Sequence, residues 1–559
     1  MKNKLVNYFN DISSNRNLMI FIIITLSIYL PSLYFDFFVF DDKANIIEDS
    51  KIRGLSDLLG PWSITKIPLS YNYWQIVNFI FGNSTAAPFR ALNIVFHIFN
   101  GLLVYRIAKK YVTSSLLSTF IIGIFLIHPI NVQSVVWVSS SREILATLMI
   151  LISANFFMAS DLKDRGLLYS IFFWVLSLLF KPIGVVIPLL IPLFSREKNL
   201  KRVNILVGAG FCLAALTLFL YIGEIEKAIP GNNFSKLNYL ASYVITSIIY
   251  LKNYFLPFSL SYNYSITPST IDTIFNSTRA LYYFIPLLII LIFAFKSKDK
   301  KITAPLISFF LLITINSGLI PFNHQLISIV TDRYLYLPSI ALVFLLIGVS
   351  SHLKRHFKVL LVSFSLVLIP ISYNQVSKWK TSSDRLYTPT YTNHVAKMSY
   401  LTALIWDRKY SKASLLLEKY LESNEEEFFF DYLSVRLSLF NSIPKDQDYH
   451  ILRSQILDNL PQTQKEFFPL IANFAYQNKD FRLARTALFL SKKSENFHLV
   501  DFDIDTLDEE QLIYEDKVMT ETTLIPFRRN YGHVGKRLYK TLRPMIQDKK
   551  TYDQVYKER

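Results

Sequence analysis

From Asn17 to about Tyr373 the apolar residues come in blocks of roughly 13 to 20, and charges close almost every block. Helices at the upper end of that range match the hydrocarbon core of a bilayer, about 30 Å thick, so the pattern predicts repeated membrane crossing. Crossings are expected at 17–35, 89–105, 114–130, 143–159, 167–180, 183–194, 204–222, 280–295, 303–319, 335–350 and 358–372, about eleven in all. The fold class predicted is an all-α polytopic membrane protein. Segment 237–256 is also apolar, but a crossing there would break the alternation of charged loops, so it is assigned to an interfacial or re-entrant helix.

Basic clusters set the expected topology. Lys2, Lys4 and Arg16 precede the first span, and clusters such as Arg106, Lys109 and Lys110 or Lys296, Lys298, Lys300 and Lys301 fill alternate loops. By the positive-inside rule those loops are cytoplasmic, so 1–16 lies inside and the loop 36–88 faces out. The first span has a basic flank and no small-residue cleavage site, which marks it as a retained anchor.

After Tyr373 the pattern changes. Residues 374–559 interleave charges with apolar positions at helical spacing, as in "SKASLLLEKYLESNEEEFFFDYLSVRLSLF" from Ser411, and predict a helical extracytoplasmic region. "DRKYSKASLLLEKYL" from Asp407 and "NKDFRLARTALFL" from Asn478 align Tyr410 with Phe481 and Ala413 with Ala484. A weaker copy from Asp446 puts Leu452 at the small position. The motif is similar to the second half of a tetratricopeptide repeat, with an irregular helical bundle as the alternative.

Composition alters this picture little. The chain of 559 residues is 52% hydrophobic and 15% aromatic, enough for several soluble cores, but the block pattern excludes that reading. The net charge of +17 is spread over topology clusters instead of one stripe, which argues against a nucleic-acid partner. Cys212 is the only cysteine, so no disulfide braces the exported parts.

Charges at outward span ends carry the candidate chemistry, because they are costly in apolar surroundings. Asp41 and Asp42 end "FDFFVFDD"; neighbours on a loop point to different sides, so one is expected to face a reacting atom while the other orients it or meets a divalent cation. In "HPINVQSVVWVSSSREIL", Pro129 stops one helix and Ser139, Ser140 and Ser141 offer caps for the next, whose first turn holds Arg142 and Glu143. An Arg there suits a phosphate, as guanidinium and backbone donors converge on one anion. Lys181 and Pro182 break a hairpin whose arms rise only roughly 20 Å, which places the ammonium inside the protein, paired with a lipid phosphate or with Asp41 and Asp42. Asp332 and Arg333 enter a later span together, either as a self-contained ion pair or with Arg333 as a further phosphate ligand. No nucleophilic triad, zinc cluster or Gly-rich phosphate loop accompanies them.

"FDD" at Phe40 to Asp42, "HPINVQSVVWVSSSRE" at His128 to Glu143, the break at Lys181, "YLKNYFLPFSLSYNY" at Tyr250 to Tyr264 and "RYLYLPS" at Arg333 to Ser339 stand in order along the chain. Together they resemble the transmembrane and tetratricopeptide-repeat-containing O-mannosyltransferases and their bacterial relatives, of the GT-C glycosyltransferase superfamily. The resemblance covers Asp36 to about Tyr373, the expected catalytic body being 17–373. It implies transfer of a sugar from a polyprenyl-phosphate donor to a hydroxyl on the extracytoplasmic side of a membrane. The acceptor is a protein Ser or Thr, or alternatively a lipid-linked or cell-surface glycan. It further implies Asp41 as general base, Asp42 as its orienting partner, and Arg142, Lys181 and Arg333 as donor-phosphate ligands. His128, Glu143 and Tyr262 fall within the matching motifs as supporting residues, and Asp332, directly before the last motif, joins them. Pro182 stands where the family usually has Glu, and Asp332 replaces a more usual Glu.

Low Gly and high Ile, Asn, Lys and Phe usage favours a bacterial inner membrane. A transporter for lipid-linked sugars is the competing class, but it predicts repeated halves and charges near the bilayer midplane. A binding scaffold that acts through its helical tail is the other.

Overall fold

The computed structural model describes residues 16–47, 58–111, 115–159, 165–194, 207, 208, 210, 236–297, 299–320, 322–350, 355–387, 394–409, 412, 413, 415 and 416. Among them the regular elements are helices, with no strand. The chain divides into two compact units, Met1–Ala396 and Lys397–Arg559. The repeat-like segments from Asp446 and Asn478, and most of the one from Asp407, lie outside the described residues, as do 1–15 and most of the span expected at 204–222.

In chain order the α-helices are α1 Arg16–Tyr29, α2 Gly60–Ile64, α3 Pro68–Phe81, α4 Ala87–Ala108, α5 Ser115–Ile127, α6 Val132–Val136, α7 Ser141–Ala159, α8 Arg165–Phe180, α9 Ile187–Phe194, α10 Lys236–Phe255, α11 Pro268–Phe275, α12 Leu281–Lys296, α13 Lys300–Ile313, α14 Tyr336–Ser350, α15 Arg355–Ser377, α16 Ser382–Leu386 and α17 His394–Trp406. Six helical stretches are long and apolar enough to cross a bilayer, at 16–34, 87–108, 138–159, 278–296, 332–350 and 359–377. A seventh is added if Leu117–Ile127 and Pro129–Val136, bent by 41°, form one broken span. The protein is therefore a helical membrane protein.

Fewer spans than the expected eleven stand among the described residues, for local reasons. The two arms around Lys181 are short apolar helices, Arg165–Phe180 and Pro182–Leu193. The stretch expected at 303–319 forms only the 14-residue α13 before its backbone tightens into a 3₁₀ turn at Thr314–Asn316. Segment 237–256 folds as the 20-residue α10, outside the six.

Buried polar side chains lock the core helices to one another. His97 Nδ1 lies 2.7 Å from the Tyr336 hydroxyl and its Nε2 lies 3.0 Å from the Leu126 carbonyl, while Asn100 donates to the same hydroxyl at 3.1 Å. One cluster thus ties α4 to α5 and α14, and such bonds fix helix register where lipid offers no competing water. Close backbone approach does the same at α13 and α14, where a Cβ on Gly348 would collide with the Lys301 carbonyl oxygen. In the second unit the last turns of α17 bury Tyr400, Leu401, Ala403 and Leu404.

Candidate functional site

The acid loop begins where Pro31 tightens the end of the first span into a 3₁₀ turn, Leu30–Tyr34. Arg90, from the first turn of α4, holds that loop by its backbone. Its guanidinium donates to the carbonyls of Val136 at 2.9 Å, Ser32 at 3.2 Å and Asp36 at 2.6 Å, and also to that of Phe35. Four carbonyls on one buried fork leave the loop little freedom.

The paired acids then part company. Asp42 is 0% exposed. Its Oδ1 accepts from the Ser139 amide at 2.8 Å and the Ser139 hydroxyl at 2.5 Å, and its Oδ2 from the Phe38 amide at 3.0 Å. Burial pushes the Asp42 carboxyl up to about 6, against the opposing pull of Ser139, Phe38 and Arg90. Asp41 keeps 40% of its side chain exposed and accepts from Arg142 Nη2 at 2.8 Å. Asp42 therefore fastens the loop to "VSSS", and Asp41 alone is open to a substrate. Because N–H and O–H donors occupy both Asp42 oxygens, the pair does not fit a two-carboxylate cation site.

Around Asp41 the three predicted cations gather on one carboxylate, Glu143, in the first turn of α7. Lys181 Nζ stands 2.5 Å from Glu143 Oε1, Arg333 Nε 3.8 Å from the same oxygen, and Arg142 Nε 3.8 Å from Oε2. Lys181 reaches it because the chain is extended at the break between α8 and the 3₁₀ turn Pro182–Val186. Burial lowers the Lys181 ammonium to about 8, with Arg142 and Arg333 adding to the fall and Glu143 opposing it. Aromatic faces complete the cradle. The Tyr334 ring carries Lys181 Nζ and the Arg333 guanidinium, each 4.8 Å from its centroid, and the Trp137 ring also meets Arg333 at 4.8 Å. Three cations against Asp41 and Glu143 leave one net positive charge in a partly open site.

Three expectations about pairing change. Lys181 pairs with Glu143 instead of Asp41 or Asp42, since the hairpin return brings it to the start of α7. Asp332 and Arg333 are not a self-contained pair. They sit in the 3₁₀ turn Asp332–Leu335, where consecutive side chains diverge by about 120°. Arg333 turns to Glu143, while Asp332 accepts from the Tyr264 hydroxyl at 2.5 Å and faces Arg385 Nη2 at 3.8 Å. Of the caps expected for α7, Ser139 serves Asp42 and Ser141 Oγ accepts from Trp74 Nε1 at 2.8 Å.

The supporting residues divide between site and scaffold. Glu143 is central. Tyr262 packs with Phe38, Trp137 and Trp379 in an aromatic wall behind the acid loop. His128 lies apart: its Nδ1 accepts from the Ile130 amide at 3.1 Å, its Nε2 lies 2.9 Å from the Tyr254 carbonyl, and its ring stacks on Tyr254 with 4.4 Å between centroids.

Sequence reasoning missed Arg90, Tyr334, His324 and Arg385. Arg90 had a signal, a lone charge at the start of an apolar run, and Tyr334 lay within the quoted "RYLYLPS". Arg385 comes from the short α16 beyond the last long span, a stretch folded back so that Ser382 Oγ accepts from the Val39 amide at 3.1 Å. Compared with known protein families, curated proteins and solved structures, the chain matches none.

Proposed function

We propose that the chain is a membrane glycosyltransferase of the GT-C type, which moves a sugar from a polyprenyl-phosphate-linked donor to a hydroxyl outside the cytoplasm. The observation that carries this reading is the gathering of Arg142, Lys181 and Arg333 on Glu143 beside the accessible carboxylate of Asp41. A substrate with an anionic head and a greasy tail fits cations held at the ends of apolar helices.

Each residue then has a task. Arg142, Lys181 and Arg333 bind the donor phosphate, and Glu143 keeps the three from repelling one another before it arrives. Asp41 accepts the proton of the acceptor hydroxyl as that oxygen bonds to the anomeric carbon. The bond from that carbon to the phosphate oxygen breaks, and its electron pair stays on the phosphate, where the cations neutralise it without a proton. Asp42 and Arg90 hold the acid loop still. The acceptor is a protein Ser or Thr, or a lipid-linked or cell-surface glycan. The setting is a bacterial inner membrane, with loop 36–88 and region 374–559 on the outer side.

The test is transfer by the full chain in lipid nanodiscs, supplied with polyprenyl-phosphate-linked hexoses and Ser/Thr peptides or glycan acceptors. Asp41→Asn keeps the shape and the contact with Arg142 but removes the base. It should lower the rate about 10²- to 10⁴-fold without weakening donor binding. Transfer at the wild-type rate by this variant would remove Asp41 from the mechanism, and absence of transfer from every donor would sink the reading itself.

A further inference from the structure

His324 is a member of the cation cluster to which the mechanism above gives no task. It lies in the 3₁₀ turn Asn323–Leu326. Its ring meets the Tyr334 ring edge-on, centroids 6.4 Å apart and planes at 83°. That is the same Tyr334 ring against which Lys181 and Arg333 stand. Arg333, Arg142 and Lys181 face the imidazole, with Glu143 and Asp41 as their counter-ions. Its Nε2 is closed off from solvent and has no hydrogen-bond partner among the described residues. A buried ring nitrogen left so is destabilising, and a ligand that accepts from it removes that cost. Burial, and after it the three cations, hold the imidazole well below its ordinary pKa, so it stands neutral.

Resting on the phosphate-binding reading above, we propose that His324 is a fourth phosphate ligand, donating Nε2–H to the phosphate oxygen that gains charge when the sugar departs. The donor phosphate is a diester with one negative charge, which the net single positive charge of Arg142, Lys181, Arg333, Asp41 and Glu143 already matches. When the bond between the anomeric carbon and the phosphate oxygen breaks, its electron pair makes a monoester with a second negative charge. The acceptor proton goes to Asp41 and His324 keeps its own, so the imidazole supplies a hydrogen bond and no net proton. Its contribution is then small for the bound diester and large for the developing monoester, which is the difference that speeds a reaction.

Two probes separate these states: polyprenyl phosphate, a monoester, and its monomethyl ester, a diester with the same tail. Binding of each to the full chain in nanodiscs is compared for wild type, His324→Phe, His324→Gln and Arg142→Gln. His324→Phe should weaken the monoester about tenfold, the size of one charge-assisted hydrogen bond, and the diester about twofold or less. His324→Gln, which keeps a neutral donor, should retain more monoester affinity than His324→Phe. If a Phe ring is not tolerated, His324→Ala reads the same ratio. Equal weakening of both probes, or of neither, overturns the role of His324 while leaving the phosphate site intact, provided Arg142→Gln weakens both. Failure of wild type to bind either probe removes the phosphate reading and this inference with it.

Discussion

Two charged clusters meet at neighbouring residues, and they are built on opposite plans. Around Glu143, three cations crowd one buried carboxylate and Asp41 stays open. Around Asp332, one acid meets one guanidinium, with the Tyr264 hydroxyl at 2.5 Å on the acid and Gln375 Oε1 accepting from Arg385 Nη1 at 3.1 Å. Arg385 also lies over Trp379, 4.9 Å from its centroid. Asp332 and Arg385 are both buried, as members of an internal brace should be. The first cluster is positive and partly open, as an anion site should be. Arg333 and Asp332, adjacent in sequence, belong to different machines.

The sharpest way to break the comparison is to remove one charge from each cluster and offer phosphate to both variants. Glu143→Gln leaves three cations without their shared counter-ion and should cost about 3–5 kcal/mol of stability, read as a fall in thermal midpoint of the full chain in detergent. Polyprenyl phosphate should restore much of that loss, more than it stabilises wild type, because an anion replaces the missing charge. Arg385→Met strands the Asp332 carboxylate and should cost a similar or somewhat smaller amount, about 3 kcal/mol. No phosphate should restore it, whereas the double change Asp332→Leu with Arg385→Met should recover part of it by replacing the pair with apolar contacts. Rescue of Arg385→Met by phosphate, or its absence for Glu143→Gln, would collapse the distinction between the two clusters.

The sequence shows which residues are expensive and not whom they meet. Arg142, Lys181, Arg333 and the acid pair interrupt apolar runs, so the cost of burying charge made them visible. Their arrangement depends on how α7, α8 and the turn before α14 pack, a matter of tertiary geometry over 38 residues for Lys181 and Glu143. Glu143 reads as a helix-start acid because two of its partners, Lys181 and Arg333, are remote. Arg385 and His324 stand in mixed polar stretches, where a charge is cheap and attracts no notice. The long spans were legible because one period dominates them. The arms around Lys181 and the short α13 were not, because apolar runs of that length fit a crossing and a buried partial helix equally well.

The same contrast extends to the acid loop on a smaller scale, through pH. Asp42 is held above the ordinary carboxylate range by burial, at about 6 in the folded chain against 3.8 for a free side chain. A folded pKa raised for an acid means that the native state binds the proton more tightly than the unfolded one. Stability is thus highest below pH 4 as far as this group is concerned, and falls as pH rises towards 6, by at most about 3 kcal/mol. The thermal midpoint of the full chain should show that descending limb between pH 4 and 6. Asp42→Asn has no proton to lose, so the limb should flatten, while a smaller uniform loss appears because an amide cannot accept from both Ser139 and the Phe38 amide. Asp41→Asn should leave the limb in place, since Asp41 is the exposed member of the pair. A limb that follows Asp41 instead would mean that the two acids had exchanged their parts, and that the buried one is not the fastening of the loop.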